Sequence, residues 1–329
     1  MRNLITDVPG ITVGHAQDLR LGSGATAVIF DEAAVASIDV RGGGPGTRES
    51  VLLDPAQTVD SIDAITISGG SAFGLDAASG AQAWLREQGR GFAVRTARVP
   101  IVPAAVLFDL LNGGDKNWEL FPPYREFGYR AAAGAAADFA LGSVGAGAGA
   151  TTVNCKGGIG SASARTADGC TVGAIAAVNA VGSVVVGNGP WFWAAPYEVN
   201  GEFGGRGLPD EFTPQMLEPQ VKGSAPENTT LVVVATDAIL TKAQAKRLAV
   251  MAQSGMSRAI YPVHSPLDGD VMFAASTGRQ PLADPIVGLT KLGAAAANVV
   301  ARAIARGVFA ATALPFPGAL PSWQDKFRR

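Results

Sequence analysis

Residues 226–240 read PENTTLVVVATDAIL, so that a polar turn runs directly into a long apolar stretch. The run LVVVAT at 231–236 predicts a buried strand, because β-branched residues favour a pleated sheet and no charge interrupts the run. Asn228 and Thr229 come just before it. In one interpretation they are the turn and the entry of this strand, since Asn favours turns and Thr favours strands. In the other interpretation, the chain is cut between them.

A cut between Asn228 and Thr229 would turn Thr229 into a catalyst. A hydroxyl is a weak nucleophile unless a base is within reach, and an N-terminal Thr carries its own α-amine, with a pKa of about 8, as that base. Before the cut, the Thr229 hydroxyl would attack the Asn228 carbonyl and form an ester that water opens. Pro226, and an Asn able to take unusual backbone angles, suit a strained peptide at this position.

The composition indicates a globular chain that binds neither nucleic acid nor membranes. The 329 residues are 47% hydrophobic and 16% charged, which is sufficient for a large core. The 26 basic and 28 acidic residues give a formal net charge of -2 and form no long block of one sign. The N-terminus lacks a secretory signal pattern, and no apolar run is expected to span a bilayer. We expect a cytoplasmic protein.

The residue content gives little support for metal or cofactor chemistry. Cys155, Cys170, His15 and His264 are the only cysteines and histidines, too few for the common zinc motifs, and the cysteines are expected to be buried free thiols. The run GAGAGA at 145–150 fits GxGxxA, but no GK[ST] follows it. Close backbone packing is therefore favoured over nucleotide binding, and we expect no metal and no cofactor.

The order of the elements predicts an α/β sandwich in which helices cover sheets. Strands are predicted at 26–30, 36–40, 63–68, 171–178, 183–188, 231–236 and 270–276, and helices at 71–85, 125–140, 242–258 and 286–306. The segment 194–227 lacks periodicity and is predicted to be a long loop.

Ser71 is an alternative nucleophile. It lies where a strand turns into a helix, and with His264 and either Asp109 or Asp237 a Ser-His-Asp set can be drawn. The surrounding sequence GGSAFG misses the GxSxG pattern of α/β-hydrolases, because Phe73 stands where the second glycine is needed. We therefore expect Ser71 to be the N-cap of the helix.

Asp268 and Asp270 form an acidic pair in PLDGDVMFAAS, at 266–276. They are two residues apart on a predicted strand, so both side chains are expected on one face. Such a pair is costly when it is buried without partners, which indicates either a functional site or a solvated strand end. Near Thr229 the two carboxylates would orient its ammonium group or share in proton transfer.

Seven segments, taken in order over nearly the whole chain, resemble the L-aminopeptidase/D-esterase family, which also holds β-peptidyl aminopeptidases and the endo-type nylon-oligomer hydrolase. They are GITVGHAQD (10–18), DVRGGGPGTRES (39–50), TISGGSAFGLDAASG (66–80), GSVGAGAGA with KGGIGSAS (142–163), VNAVG (178–182), ENTTLVVVATDA (227–238) and DGDVMFA (268–274). The Asn-Thr-Thr junction and the DGD pair are most similar to the nylon-oligomer hydrolase branch.

The resemblance implies an αββα sandwich with connectivity like that of ornithine acetyltransferase. It also implies a single domain that cuts itself into an α chain, 1–228, and a β chain, 229–329. The processed protein would assemble as a homotetramer.

The resemblance also implies roles for particular residues. Thr229 would be the nucleophile and, through its amine, the base. Asn179 matches the family's oxyanion-stabilising amide, Lys156 matches a lysine that lowers the pKa of nearby groups or holds a carboxylate, and Asp268 and Asp270 match the acidic pair beside the nucleophile.

Phe108 is a departure from the family pattern. Where the family often has Tyr in VPAAVxYD, this chain reads VPAAVLFDL at 102–110. Phe has no hydroxyl to donate to the nucleophile or its amine, which bears on the rate or the substrate class more than on the self-cleavage. Core packing is the other interpretation of Phe108.

The sequence leaves three functions open. The first is hydrolysis of amide bonds in small peptides, amino-acid amides or ω-amino-acid oligomers through an acyl-enzyme on Thr229. The second is acyl transfer to an amine on the same fold. The third is a non-catalytic relative that binds a small ligand.

Overall fold

The computed structural model describes residues 1–223 and 228–328 and shows two layers of strands between two layers of helices. The strands are β1 (Ile11–Asp18), β2 (Ser23–Val40), β3 (Gly46–Arg48), β4 (Ser61–Ser68), β5 (Phe92–Val94), β6 (Ala97–Val99), β7 (Ala104–Val106), β8 (Gly158–Arg165), β9 (Thr171–Asn179), β10 (Thr229–Ala238) and β11 (Val271–Gln280). The α-helices are α1 (Ala77–Glu87), α2 (Tyr124–Ala133), α3 (Lys242–Ser257), α4 (Val287–Phe309) and α5 (Trp323–Phe327).

The long strand β2 connects the two layers of strands. The order of hydrogen-bonded strands is β3-β7-β4-β2-β11-β10-β9-β8, and β1 also pairs with β2. The first part of β2 pairs with β1 and β4, whereas 35–40 pair with β11, and the register against β4 shifts between Ile29 and Ala34. Strands β5 and β6 form a separate hairpin.

Three apolar clusters separate the four layers and confirm the αββα sandwich. One lies between the two layers of strands. A second lies between β8–β11 and helices α3 and α4, and a third between β1, β2, β4 and helices α1 and α2. Each layer of strands thus buries apolar area on both faces, and each layer of helices does so on its inner face. This burial stabilises the fold by about 25 cal/mol for each Å² of apolar surface removed from water.

Strand β10 lies near the middle of the second layer, parallel to β11 and antiparallel to β9. Leu231 and Val233 point into the central core, whereas Val232 and Val234 point toward α3 and α4. Because both faces are buried, the strand has a continuous apolar run rather than an alternating one. The prediction of a strand at 231–236 is confirmed.

Helix α4 packs so closely on β8 that side chains are excluded between them. A Cβ on Gly160 would lie 1.9 Å from the Ala303 carbonyl oxygen, and one on Gly307 would lie 2.9 Å from the Gly160 nitrogen. The expectation that no apolar run reaches the length of a membrane span is wrong by length and composition for α4, which has 23 residues and a mean hydropathy of 1.3. In the structure, 72% of this apolar stretch is buried, as in a core helix.

Several local predictions differ from the structure. Residues 183–188 form isolated bridges with Tyr261 and Phe192 instead of a strand. Helix α2 ends at Ala133, before the predicted end at 140. Strand β8 was missed because its sequence, GIGSASAR, is made of small residues, which carry little strand propensity and are required here by the close approach of α4.

Ser71 is not the N-cap of a helix, which corrects the prediction. It is the first residue of a 3-10 helix, Ser71–Asp76, whose N-cap is Gly70, and no side chain caps it. Ser71 has a φ of 52°, and its N–H donates to the Leu107 carbonyl at 2.9 Å. The turn needs a left-handed backbone at two successive residues, so the sequence around Ser71 serves the turn rather than a cap.

Candidate active site

Thr229 is the first residue of β10 and lies beside Asn179, the last residue of β9. Its hydroxyl donates to the carbonyl oxygen of Asn228, and the N–H of Gly269 donates to the same oxygen at 2.8 Å. The side chain is buried, with 5% of the residue exposed. Two donors on one carbonyl withdraw electrons from its carbon, so the peptide bond between Asn228 and Thr229 is polarised toward attack.

Gly269 brings the acidic loop against this hydroxyl. A Cβ at residue 269 would lie 2.5 Å from the Thr229 hydroxyl oxygen and 2.9 Å from the Gly44 carbonyl oxygen. Asn228 and Asp268 form a parallel bridge at the same place. The glycine between the two acids is therefore required for the contact of the loop with the Thr229 hydroxyl.

The acidic pair is buried, but the two carboxylates have different partners. Asp270 accepts from the N–H of Thr230 at 2.7 Å and from Nδ1 of His264 at 2.9 Å. Asp268 accepts from the N–H of Ser265 at 2.9 Å. Burial and the negative charge of Asp270 raise the pKa of Asp268 to about 6, against the hydrogen bonds that it accepts.

The prediction that both acids lie on a strand is wrong. Strand β11 begins at Val271, and Asp268 and Asp270 lie in the loop that precedes it. Both carboxylates accept from backbone N–H groups, Asp268 from Ser265 and Asp270 from Thr230. The pair is 1% exposed at each residue, which excludes the interpretation as a solvated strand end.

Asn179 connects Thr229 to the chain that follows β7 in the first layer of strands. Its side-chain N–H donates to the backbone carbonyl of Phe108 at 3.0 Å, and its Oδ1 accepts from the N–H of Thr151 at 2.9 Å and from Nζ of Lys222 at 3.2 Å. The amide is therefore held in place by several partners, as a preorganised oxyanion donor requires. Residue 108 contributes its main chain to this site, whatever its side chain is.

Lys156 is fully buried in the glycine-rich segment that precedes β8. Its ammonium donates to the carbonyls of Gly147 and Gly157, at 2.8 and 2.7 Å. Burial lowers the pKa of Lys156 to about 7; the positive charge of Lys222 acts in the same direction, and Asp109 opposes both. Within the described residues no contact joins Lys156 to Thr229.

A small cavity of about 50 Å³ opens beside Asn179. It is lined by Phe108, Asp109, Leu111, Asn112, Gly149, Thr151 and Lys222. Asp109 accepts from the hydroxyl of Ser23 at 2.7 Å and from the N–H of Gly70 at 2.8 Å, and burial raises its pKa. The half-buried Phe108 ring and the Lys222 side chain thus give the cavity one apolar wall and one cationic wall.

The structure does not support a Ser-His-Asp set. His264 bonds Asp270, and no contact among the described residues joins it to Ser71. Asp109 lies near Ser71 through Gly70, and Asp237 accepts from the N–H of Thr171 at 2.7 Å, at the opposite end of β10. Pro226, which we had expected to strain the junction, lies outside the described residues.

Sequence reasoning missed Gly269 and the contact of His264 with the acidic pair. The spacing DGD was visible, but the requirement for glycine follows only from the hydroxyl that packs against it. His264 precedes Asp268 by four residues in YPVHSPLDGD, and this proximity in sequence is the one signal that could have connected them. Among residues 1–223 and 228–328, no group of three or more His, Cys, Asp or Glu side chains is placed to hold a metal ion.

Comparison with known proteins shows which family and which relatives the chain resembles. The model of peptidase family S58 matches residues 3–319. A Mycobacterium tuberculosis protein described as an uncharacterized aminopeptidase is 44% identical over 347 residues, which cover 99% of this chain and 98% of that protein. The 6-aminohexanoate-oligomer endohydrolase of a Kocuria species is 26% identical, over 82% of this chain and 74% of its own length.

Two solved structures share the fold. The L-aminopeptidase D-Ala-esterase/amidase of Ochrobactrum anthropi, described as a variant of the Ntn hydrolase fold, superposes with a TM-score of 0.73 at 22% identity. A β-aminopeptidase of a Burkholderia species superposes with a TM-score of 0.70, also at 22% identity. In each case the match covers 99% of this chain and 92% of the other.

Proposed function

Because this chain belongs to peptidase family S58 and is a hydrolase of amide bonds, we propose that it cuts itself between Asn228 and Thr229 and then uses Thr229 as an N-terminal nucleophile. The observation that carries the proposal is the pair of donors on the Asn228 carbonyl, the Thr229 hydroxyl and the Gly269 N–H. The reacting hydroxyl is already in contact with the carbonyl group that it would attack.

The self-cleavage proceeds in two steps. In the first, the Thr229 hydroxyl oxygen bonds to the Asn228 carbonyl carbon, and the Gly269 N–H stabilises the oxyanion. The C–N bond then breaks, the hydroxyl proton ends on the freed Thr229 amine, and an ester joins the two residues. In the second, water adds to the ester carbon, which releases the Asn228 carboxylate and restores the Thr229 hydroxyl.

The same hydroxyl then acts on substrates. The free α-amine of Thr229 takes the hydroxyl proton while the oxygen attacks a substrate carbonyl, and the proton passes to the leaving amine. Asn179, held by Phe108 and Thr151, is the proposed oxyanion donor. We assign Lys156, with a pKa of about 7, to the tuning of nearby charges, and Asp268 and Asp270 to the loop that packs against the nucleophile.

We propose small amides as substrates: short peptides, amino-acid amides or ω-amino-acid oligomers. The cavity beside Asn179 is small and enclosed on one side by Phe108, which suits a short acyl group. The relatives are described as an aminopeptidase and as an endohydrolase of 6-aminohexanoate oligomers. Amino-acid amides and such oligomers are therefore the first compounds to assay. From the family resemblance alone, we further propose that the processed protein works as a homotetramer. The cytoplasmic location expected from the sequence stays a proposal.

The first test compares the wild type with Thr229→Ala by intact mass and N-terminal sequencing. We expect the wild type to give two pieces, residues 1–228 and a piece that begins Thr-Thr-Leu, and Thr229→Ala to stay whole. Thr229→Ser is the matched control, since it keeps the hydroxyl and should still be cut. A wild-type chain that stays whole would contradict the self-processing mechanism.

Once cleavage is established, amide hydrolysis is assayed on an amino-acid p-nitroanilide and on a linear 6-aminohexanoate oligomer. Activity that appears in step with cleavage, and is missing in Thr229→Ala, assigns Thr229 as the nucleophile. If uncut Thr229→Ala hydrolyses these substrates as fast as the cut wild type, the catalytic group lies elsewhere.

A further inference from the structure

We propose that His264 is a positioning residue, which holds the Asp270 carboxylate against the backbone of Thr230 and thereby keeps Thr229 in line for attack. This inference rests on the proposed function of Thr229. It adds to the site a residue outside the nucleophile, the oxyanion donor and the acidic pair.

The contacts of Asp270 form a clamp between a loop and a strand. Its Oδ1 accepts from the N–H of Thr230 at 2.7 Å. Its Oδ2 accepts from Nδ1 of His264 at 2.9 Å and from the N–H of the same residue at 3.2 Å. A carboxylate only accepts, so Nδ1 carries the hydrogen of the imidazole. Both oxygens are occupied, and rotation of the carboxylate would break a bond on either side.

The clamp acts on the part of the chain that cleavage loosens. After the cut, Thr229 is joined to the fold through one peptide bond, to Thr230, and through its pairing with Asn179 on one side. The Thr230 N–H is the first main-chain donor after the nucleophile. A bond from that N–H to a buried, fixed carboxylate therefore limits the movement of the hydroxyl, and a displacement of about 1 Å can cost about 100-fold in rate.

His264 bears two energetic costs that a structural residue would avoid. Its φ is 58°, in the left-handed region that Gly adopts freely and that residues with a side chain adopt uncommonly. Its Nε2 atom is buried and has no hydrogen-bond partner among the described residues. Strained backbone and unpaired polar atoms of this kind collect at functional sites, where the surrounding structure holds them in place.

Two variants distinguish loss of the His264–Asp270 hydrogen bond from damage to the fold. His264→Asn keeps an N–H donor on the same side-chain carbon that carries Nδ1, and Asn tolerates the left-handed backbone. His264→Gly removes the donor and relieves the backbone strain, so its loss of rate would not come from a disfavoured φ. The rate of self-cleavage, followed by intact mass on freshly made precursor, needs no substrate, and thermal unfolding of each variant reports on folding.

We expect His264→Gly to slow self-cleavage by about 10- to 100-fold and His264→Asn to stay within about threefold of the wild type. In an Asp270→Asn background, His264→Gly should cause little further loss, because the histidine acts through that carboxylate. A wild-type rate in His264→Gly would overturn the inference. Equal losses of rate in His264→Gly and His264→Asn would also overturn it. The same holds if His264→Gly slows the Asp270→Asn protein as much as it slows the wild type.

Self-cleavage of the wild type, measured in parallel, shows whether a negative result concerns this inference or the proposed function. A wild-type chain that is never cut would contradict the function itself. A wild type that is cut at residue 228, together with an unaffected His264→Gly, would contradict only the role of His264.

Discussion

At the residue scale, Asp268 and Asp270 lie on either side of Gly269 but differ in what they do. Asp270 accepts hydrogen bonds on both oxygens, from the N–H of Thr230 and from His264. Asp268 lies beside the peptide to be cut, and its raised pKa, about 6, allows it to exchange a proton near neutral pH. We therefore assign positioning to Asp270 and proton exchange to Asp268 within the proposed mechanism.

The raised pKa of Asp268 predicts a pH-dependent stability. Its folded pKa of about 6 lies above the ordinary value of 3.8, so between these values the folded state binds more protons than the unfolded state. The fold therefore loses stability as the pH rises through this window. Relative to Asp268→Asn, we expect the free energy of unfolding to fall by on the order of 1–2 kcal/mol between about pH 4 and about pH 7.

Both proteins should carry Thr229→Ala, so that the chain stays whole, and urea unfolding should be measured at each pH. The difference between them isolates Asp268 from other titrating groups. If the two stabilities run parallel across this range, Asp268 titrates as an ordinary carboxyl group.

The main chain and the side chain of Phe108 have different contacts. Its carbonyl accepts from Asn179 at 3.0 Å, and any residue there would provide this acceptor. The ring lines the cavity, which a hydroxyl would make more polar. The departure from Tyr therefore changes the lining of this cavity, and its effect on rate or substrate class stays a prediction.

At the element scale, helix α4 and strand β8 depend on glycine for their distance from each other. Gly307 lies where a Cβ would meet the Gly160 nitrogen at 2.9 Å and the Gly158 oxygen at 3.0 Å, whereas at Gly288 in the same helix the nearest atom is 3.5 Å away, on the Leu282 side chain. Substitution of Gly307 therefore tests the packing of α4 on β8, and substitution of Gly288 is a control for the change from glycine to alanine within the same helix.

We expect Gly307→Ala to lower the free energy of unfolding by about 1–3 kcal/mol, because the helix must move away from the sheet. Gly288→Ala should leave it unchanged or raise it by about 0.4–1 kcal/mol, because alanine restricts the unfolded chain more than glycine. Urea unfolding of both variants checks this. Equal effects of the two changes would show that the approach of α4 to β8 tolerates a methyl group.

At the scale of the whole molecule, cleavage would not separate the two pieces. Strand β10, the first element of the second piece, lies between β9 of the first piece and β11, and β11 pairs with β2 of the first piece. A buried ion pair adds to this, since Arg302 of α4 contacts Glu202 at 2.5 Å with both side chains under a tenth exposed.

We therefore expect the pieces 1–228 and 229–329 to stay together under native conditions, because separation would expose both faces of the central strands. Size-exclusion chromatography with light scattering should show one species that contains both pieces, and its mass would give the oligomeric state. Denaturing gel electrophoresis of the same fraction should show two bands. Separation of the pieces without denaturant would contradict the place of β10 in the sheet.

Local patterns of the sequence predict many elements of this fold. The continuous apolar run after Thr229 predicts β10, because burial on both faces leaves no alternation. The helices α3 and α4 follow from apolar spacing and were placed within a few residues of their ends. The order of the elements predicted an α/β sandwich, and side-chain chemistry alone raised Thr229, Asp268 and Asp270 as candidates. The family resemblance supplied the αββα arrangement and the roles of Asn179 and Lys156.

Other features were decided only by tertiary contacts. Small-residue strand β8 exists because α4 packs against it, and residues 183–188 are not a strand because they bridge to Tyr261 and Phe192 instead of joining the sheet. The spacing of Asp268 and Asp270 could not show that one bonds the Thr230 N–H while the other meets Asn228. Strand propensity depends on a residue and its near neighbours, whereas these contacts join groups far apart in the chain. Only the packing of layers sets their distances, and with them the burial that determines hydrogen bonding and pKa.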